Sequence, residues 1–130
     1  MDYFTLEQAI ALLPWLREQL QAYDALLGQQ GKLQVELERL QQRVRSNGHS
    51  SHAEEAGALR SELEGIEGKQ AAIARSIAER GILLRDPQRG LVDFLAMRAG
   101  REVYLCWLKG EDTIRFWHDL DTGFSGRKPL

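Results

Sequence analysis

Two residues of this chain are best suited to chemistry, Cys106 and His118, because a thiolate and an imidazole are both zinc ligands and also partners in nucleophilic catalysis. Near them in sequence stand Asp93, Arg98, Arg101, Glu102, Asp119, Asp121 and Arg127. This polar set could hold a small ligand or a cation if strand ends and loops gather it. The alternative for the same residues is a series of surface ion pairs, worth about 0–1 kcal/mol each. A second histidine pair, His49 and His52, sits in the run SNGHSSH at residues 46–52, where too few ligands are present for a metal and a solvated turn is expected.

The element that must position Cys106 and His118 lies in residues 101–126, REVYLCWLKGEDTIRFWHDLDTGFSG, which are rich in aromatic residues and contain the only cysteine. Two alternating runs flank Lys109-Gly110-Glu111-Asp112, the pattern of an antiparallel hairpin. A two-residue or a four-residue turn gives one register, with Trp107 opposite Ile114, Leu105 opposite Phe116 and Val103 opposite His118 on an apolar face. The other face then pairs Glu102 with Asp119, Tyr104 with Trp117, Cys106 with Arg115 and Leu108 with Thr113. In that register Cys106 and His118 point to opposite faces, so no shared metal, no Cys/His catalytic pair and no cofactor are expected. Cys106 then reads as a small packing residue and His118 as a hydrogen-bonded cap on the apolar face. Glu102 and Asp119 would face each other as like charges, so either one carboxylate holds a raised pKa or a cation bridges the pair; of Arg127, Arg98 and Arg89, Arg127 is favoured because Gly123 and Gly126 let the tail fold back.

The elements upstream are helical. Thr5 with Gln8 three residues later forms a capping box, with Phe4 as its apolar lead-in. Pro14 predicts a short helix over residues 5–13 and a kink or restart, followed by a long helix over about 14–46. Along it Leu13, Leu16, Leu20, Tyr23, Leu26 or Leu27, Leu33, Leu37, Leu40 and Val44 step by three and four, with Gln30 in the seam. A rod of about 45–50 Å would result. A second helix is predicted over about residues 53–80, with Leu59, Leu63, Ile66, Ile73 and Ile77 on one stripe, Gln70 in its seam and Gly81 as the C-cap. The two should form an antiparallel coiled-coil hairpin over residues 1–81.

After Gly81 the period changes. Residues 82–84 and 91–94 read as strands around a turn at residues 86–90, residues 95–100 as a connection, and the tail GFSGRKPL as irregular. The fold class is therefore α+β: a long helical hairpin followed by a small antiparallel β-meander over residues 82–130, in one folding unit.

A composition of 43% hydrophobic and 28% charged residues suits a single soluble domain of 130 residues. The net charge of -2, with basic and acidic residues interleaved, argues against a nucleic-acid or anionic-membrane binder. One cysteine permits no internal disulfide, and neither a signal peptide nor a membrane span is evident, so the cytoplasm is the expected location.

The opening YFTLEQAIALLPWLREQL, the strand RGLVDF, and GREVYLCWLKGED with IRFWHDLDTGFSGRKPL occur together in order. On these the chain resembles the small bacterial proteins grouped as domain of unknown function 2203. The resemblance implies the fold but no activity, cofactor or catalytic residue.

Two functions follow as expectations. The first is a non-enzymatic interaction or scaffold protein, a homo-oligomer, dimer or higher, that self-associates through its helical hairpin or receives a partner helix; Leu12, Trp15 and Leu26 cannot all face one partner helix. The second is a small-ligand or cation-binding protein that uses Asp93, Arg98, Glu102, His118, Asp119, Asp121 and Arg127 at the ends of the C-terminal sheet. No complete catalytic set is present, so an enzyme is not expected.

Overall fold

The computed structural model describes residues 2–47 and 50–130. Two long helices that pack against each other, α1 (Leu6–Asn47) and α2 (Ser50–Glu79), precede a five-stranded antiparallel sheet. Its strands β1 (Leu83–Asp86), β2 (Leu91–Arg98), β3 (Arg101–Leu108), β4 (Phe116–Asp119) and β5 (Lys128–Pro129) lie in chain order, a meander. This is the expected α+β fold. The turn expected at residues 46–52 falls partly on Gly48 and His49, which lie outside the described residues.

Helix α1 begins where the capping box places it. Thr5 Oγ1 accepts from the Gln8 backbone N–H at 3.1 Å, and Gln8 Oε1 accepts from the Thr5 N–H at 2.9 Å. Phe4 packs edge-on against Phe94 at 5.2 Å, while its backbone N–H donates to the Leu95 carbonyl at 2.8 Å. Contrary to the expected restart, Pro14 lies inside one helix of 42 residues. Proline removes one donor, the partner of the Ile10 carbonyl; both residues are exposed, so water can satisfy that group.

The chain divides into two compact units, Tyr23–Ile73 and Met1–Ala22 with Ala74–Leu130. In the first, Leu40, Ala56, Leu59, Leu63 and Ile66 are buried along the helix pair. The seam glutamines also meet there, Gln70 Nε2 donating to Gln30 Oε1 at 3.1 Å, so neither amide is left unpaired. In the second unit, Ala9, Leu13, Leu16 and Leu20 of α1 and Ile77 of α2 are buried, as are Val92, Phe94, Ala96, Val103, Leu105, Trp107 and Trp117 of the sheet. Arg17 links helix to sheet: its guanidinium donates to the Asp112 carbonyl at 2.7 Å and lies 5.7 Å from the centre of the Trp107 ring. Trp15, half-buried, is covered by the Arg80 guanidinium at 3.9 Å.

The sheet corrects several expectations. β2 continues through residues 95–98, which had read as a connection, and turns into β3 at Ala99-Gly100, with Arg98 and Arg101 as partners. Both turn residues have positive φ, 51° and 78°, the pattern of a type I′ turn that matches the sheet twist. The tail is regular in part: a 3-10 turn (Phe124–Gly126) leads into β5, which pairs with β4.

The largest correction concerns β3 and β4. Their partners are Val103 and Asp119, Tyr104 and His118, Leu105 and Trp117, Cys106 and Phe116, one residue away from the expected register. Residues 109–115 connect the strands, an odd number where two or four had been expected, and odd parity turns every side chain of β4 to the other face. The buried apolar face is thus Val103, Leu105, Trp107 and Trp117, and the opposite face joins Tyr104, Cys106, Phe116 and His118.

Ala99 is the one described non-glycine residue with positive φ. An L-residue in the left-handed region costs about 1–2 kcal/mol, partly offset by the lower entropy of alanine in the unfolded chain. Ala99→Gly should therefore raise stability by roughly 0.5–1 kcal/mol, read as a higher urea midpoint at unchanged slope. A lowered midpoint would mean that the turn holds no such strain.

Candidate functional site

Three adjacent strands each place one polar residue on the face opposite the helices. Asp93 of β2 is the partner of Cys106 of β3, and His118 of β4 lies one pair along, opposite Tyr104. All three are buried, and a carboxylate oxygen, the thiol sulfur and a ring nitrogen lie within 4.8 Å of one another. The reading that separated Cys106 from His118 is thereby overturned.

Every polar atom of the Asp93–His118 pair has a defined neighbour. His118 Nε2 is 3.0 Å from Asp93 Oδ1, and Nδ1 is 2.8 Å from the Asp119 carbonyl. A carbonyl can only accept, so Nδ1 carries a proton, and a further proton is shared between Nε2 and Oδ1. Asp93 Oδ2 accepts from Arg85 Nε at 2.9 Å, which balances the buried carboxylate with a cation that is 44% exposed. Hydrogen bonding to Asp93 raises the Arg85 pKa above its ordinary value. The guanidinium also lies 4.9 Å from the centre of the Tyr104 ring, which is itself 5.5 Å from His118.

The tail covers this face. Leu120, Asp121, Thr122, Gly123 and Phe124 join Arg85, Leu91, Asp93 and His118 around a hollow of about 280 Å³. The tail is held by Arg127, whose Nη2 donates to Glu111 Oε1 at 2.6 Å and to the Cys106 carbonyl at 3.3 Å, with the guanidinium 4.1 Å from the centre of Phe116. Gly126 allows the approach, since a Cβ there would collide with Thr122. Glu111 Oε1 also accepts from the Leu108 backbone N–H at 2.7 Å, and the Glu111 carbonyl accepts from Trp107 Nε1 at 3.0 Å. One carboxylate thus fixes both the β3–β4 connection and the tail.

The chemistry open to the trio is restricted. Burial, with the Asp93 charge nearby, pushes the Cys106 thiol up to about 12, and the residue has no exposed surface. Cys106 is therefore not an activated nucleophile, and both nitrogens of His118 are occupied by other partners. The three donor types are instead those of a mixed sulfur, nitrogen and oxygen ligand set.

The other expected site residues are dispersed. Glu102 and Asp119 are not partners: Glu102 pairs across β2 with Met97 and accepts from the Tyr3 hydroxyl at 2.6 Å. Asp119 takes Arg101 at 3.5 Å and Lys128 at 3.2 Å. Arg127 bridges neither acid, because its partner is Glu111. Arg98 is exposed with its guanidinium 4.8 Å from Trp117, and Asp121 is exposed on the rim of the hollow. Only Asp93, His118 and Asp121 of the expected set come together. Cys106 belongs to the group although the expected register sets it apart from His118, and Arg85 and Glu111 were missed; Leu83 is the partner of Asp93, so alternation along β1 sets Arg85 on the Asp93 side, next to the irregular pairing between Leu84 and Asp86.

The chain belongs to the family described as uncharacterized conserved protein (DUF2203), whose model matches residues 2–130. No curated protein and no solved structure matches it.

Two outcomes test this geometry. Because Arg127 and Glu111 share one hydrogen bond in a half-buried setting, Arg127→Met and Glu111→Gln should be non-additive by about 1–3 kcal/mol in unfolding, while Arg127→Met and Glu102→Gln add. Additivity in the first pair would break the link between tail and loop. The Cys106 thiol ionises near 9.0 when unfolded and about 12 when folded, so protonation favours the native state; its contribution is whole below pH 9 and is lost as pH rises through 9–12. Chelator-treated wild type should lose stability relative to Cys106→Ala across that window, and parallel curves would contradict the burial of the thiol.

Proposed function

We propose that the protein binds a small polar ligand or cation in the hollow floored by Asp93 and His118. The observation that supports this reading is a carboxylate and an imidazole, both almost fully buried, lining an open hollow rather than sealed under apolar side chains. Burying such groups is costly, and an apolar pair would fill the same two positions without that cost. Arg85 and Asp121 on the rim offer one charge of each sign, and Thr122 a hydroxyl, so an entering ligand meets donors and acceptors as well as the Phe124 ring.

The scaffold reading draws on the helical unit, whose two long helices are the feature that a partner helix or a second copy would use. There the seam is filled from within the chain, Leu40 facing inward with Leu59, Leu63 and Ile66, and the Gln30–Gln70 pair occupies the position where a partner would set register. Trp15, one of the residues that suggested an intermolecular contact, is covered by Arg80. The sheet face therefore carries the stronger reading.

Native mass spectrometry and elemental analysis of the full chain, purified without chelator, should show a near-stoichiometric metal or small-molecule adduct that is lost in Asp93→Asn and His118→Gln. A bare wild-type chain that light scattering shows to be an oligomer would sink the ligand reading in favour of the scaffold.

A further inference from the structure

We propose that Asp93, Cys106 and His118 form a binding site for a divalent transition metal of the zinc type, with Oδ1, Sγ and Nε2 as its three protein ligands. The inference rests on the ligand-binding reading of the hollow and deepens it by naming the ligand class. A tetrahedral centre with bonds of about 2.0–2.3 Å needs its ligand atoms about 3.3–3.8 Å apart. The three donor atoms already lie within 4.8 Å of one another, on adjacent strands of one sheet face, so side-chain adjustments of about 1 Å or less close the site.

The outer atoms of two ligands are already held as a metal site requires. His118 donates Nδ1–H to the Asp119 carbonyl, which fixes the tautomer that leaves Nε2 for a metal. Asp93 gives Oδ2 to Arg85 and turns Oδ1 to His118, with the Cys106 sulfur near the same carboxylate. The proton now shared by Nε2 and Oδ1 would leave on binding, as would the Sγ proton, both to solvent. One carboxylate and one thiolate then neutralise the dication, and Arg85 remains as an outer partner rather than an uncompensated charge.

Donor chemistry selects the metal. A thiolate with an imidazole and a single carboxylate suits zinc or cobalt, whereas calcium and magnesium demand oxygen ligands throughout. Asp93 and His118 line the hollow, so the metal has a path of entry and a fourth position open to water or to a small ligand between Arg85 and Thr122. Burial of Cys106 keeps the thiol protonated and inert until a metal displaces its proton.

Cobalt(II) added to the chelator-treated, reduced full chain is the test. One equivalent should bind, giving the intense visible absorption of a four-coordinate centre and a near-ultraviolet thiolate-to-cobalt charge-transfer band, and zinc should displace it. Cys106→Ser should abolish the charge-transfer band and weaken binding at least about tenfold, and His118→Gln should weaken it similarly, with far-ultraviolet circular dichroism confirming that each variant is folded. If Cys106→Ser does not fold, the band in the wild type decides alone. Cobalt bound without that band overturns the thiolate site but leaves the hollow as a ligand site. No cobalt bound to folded wild type, with an organic adduct seen by mass spectrometry, overturns the metal and spares the broader reading; a bare chain in both experiments removes both.

Discussion

The carboxylate of Glu111 sets the geometry on which the sheet face depends. It accepts from the Leu108 backbone N–H just as β3 ends and from Arg127 as the tail returns, while the Trp107 indole holds the Glu111 carbonyl. Pinned in this way, the connection between β3 and β4 takes an odd number of residues, 109–115, and that parity decides which residues of β4 share a face with Cys106. An even connection would bury Phe116 beside the helices and set His118 among the core positions, leaving Asp93 without its partner. The polar trio is thus a consequence of a side-chain acceptor three residues beyond the end of a strand.

Burial of the trio is sustained by a graded release of charge toward solvent. Asp93 is 2% exposed, yet its outer oxygen reaches Arg85, whose guanidinium leans over Tyr104 with part of its surface in water. Such an outlet offsets part of the desolvation cost, and removal of either partner leaves a charge stranded, which typically costs about 3–5 kcal/mol. The tail contributes in the same sense. By laying residues 120–124 beside Asp93 and His118 it limits access to one hollow, and the stacking of Arg127 between Phe116 and Phe124 anchors that cover without adding a polar group to the floor.

Much of the fold was legible because local signals and global packing agree. Thr5 and Gln8 cap each other, the stripe of Leu13, Leu16 and Leu20 is buried, and Gln30 meets Gln70 at the seam position that spacing assigned to both. What could not be read depends on tertiary partners. Pro14 is tolerated because its helix face is exposed, and Ala99 occupies a left-handed turn position for which sequence favours glycine or asparagine. The register of β4 was unreadable because turn rules consider the residues at i+1 and i+2, whereas the controlling contact is made by Glu111 with a backbone N–H and with a distant arginine. The candidate site inherits that limit: Asp93, His118 and Asp121 stand out in the sequence as polar strand-end residues, but the same slip assigns His118 to the apolar face and so separates it from Cys106, whose own face is as expected.

That dependence also links the site to the rest of its unit. Each member of the trio comes from a different strand, so a one-residue slip of β4 disperses it while leaving the meander otherwise paired. The elements that resist such a slip are Glu111 in the connection, the two pairs made by β5 on the far edge of β4, and the bidding of Arg101 and Lys128 for Asp119. Asp119 in turn supplies through its backbone carbonyl the acceptor that orients His118 and receives the Thr122 hydroxyl. A ligand that bridges the three strands would act on the same degree of freedom, stabilising the native register against the slipped one in proportion to its occupancy. The order of the tail and the occupancy of the hollow are therefore parts of one equilibrium, since residues 120–124 form its wall and Arg127 ties that wall to the loop that sets the register.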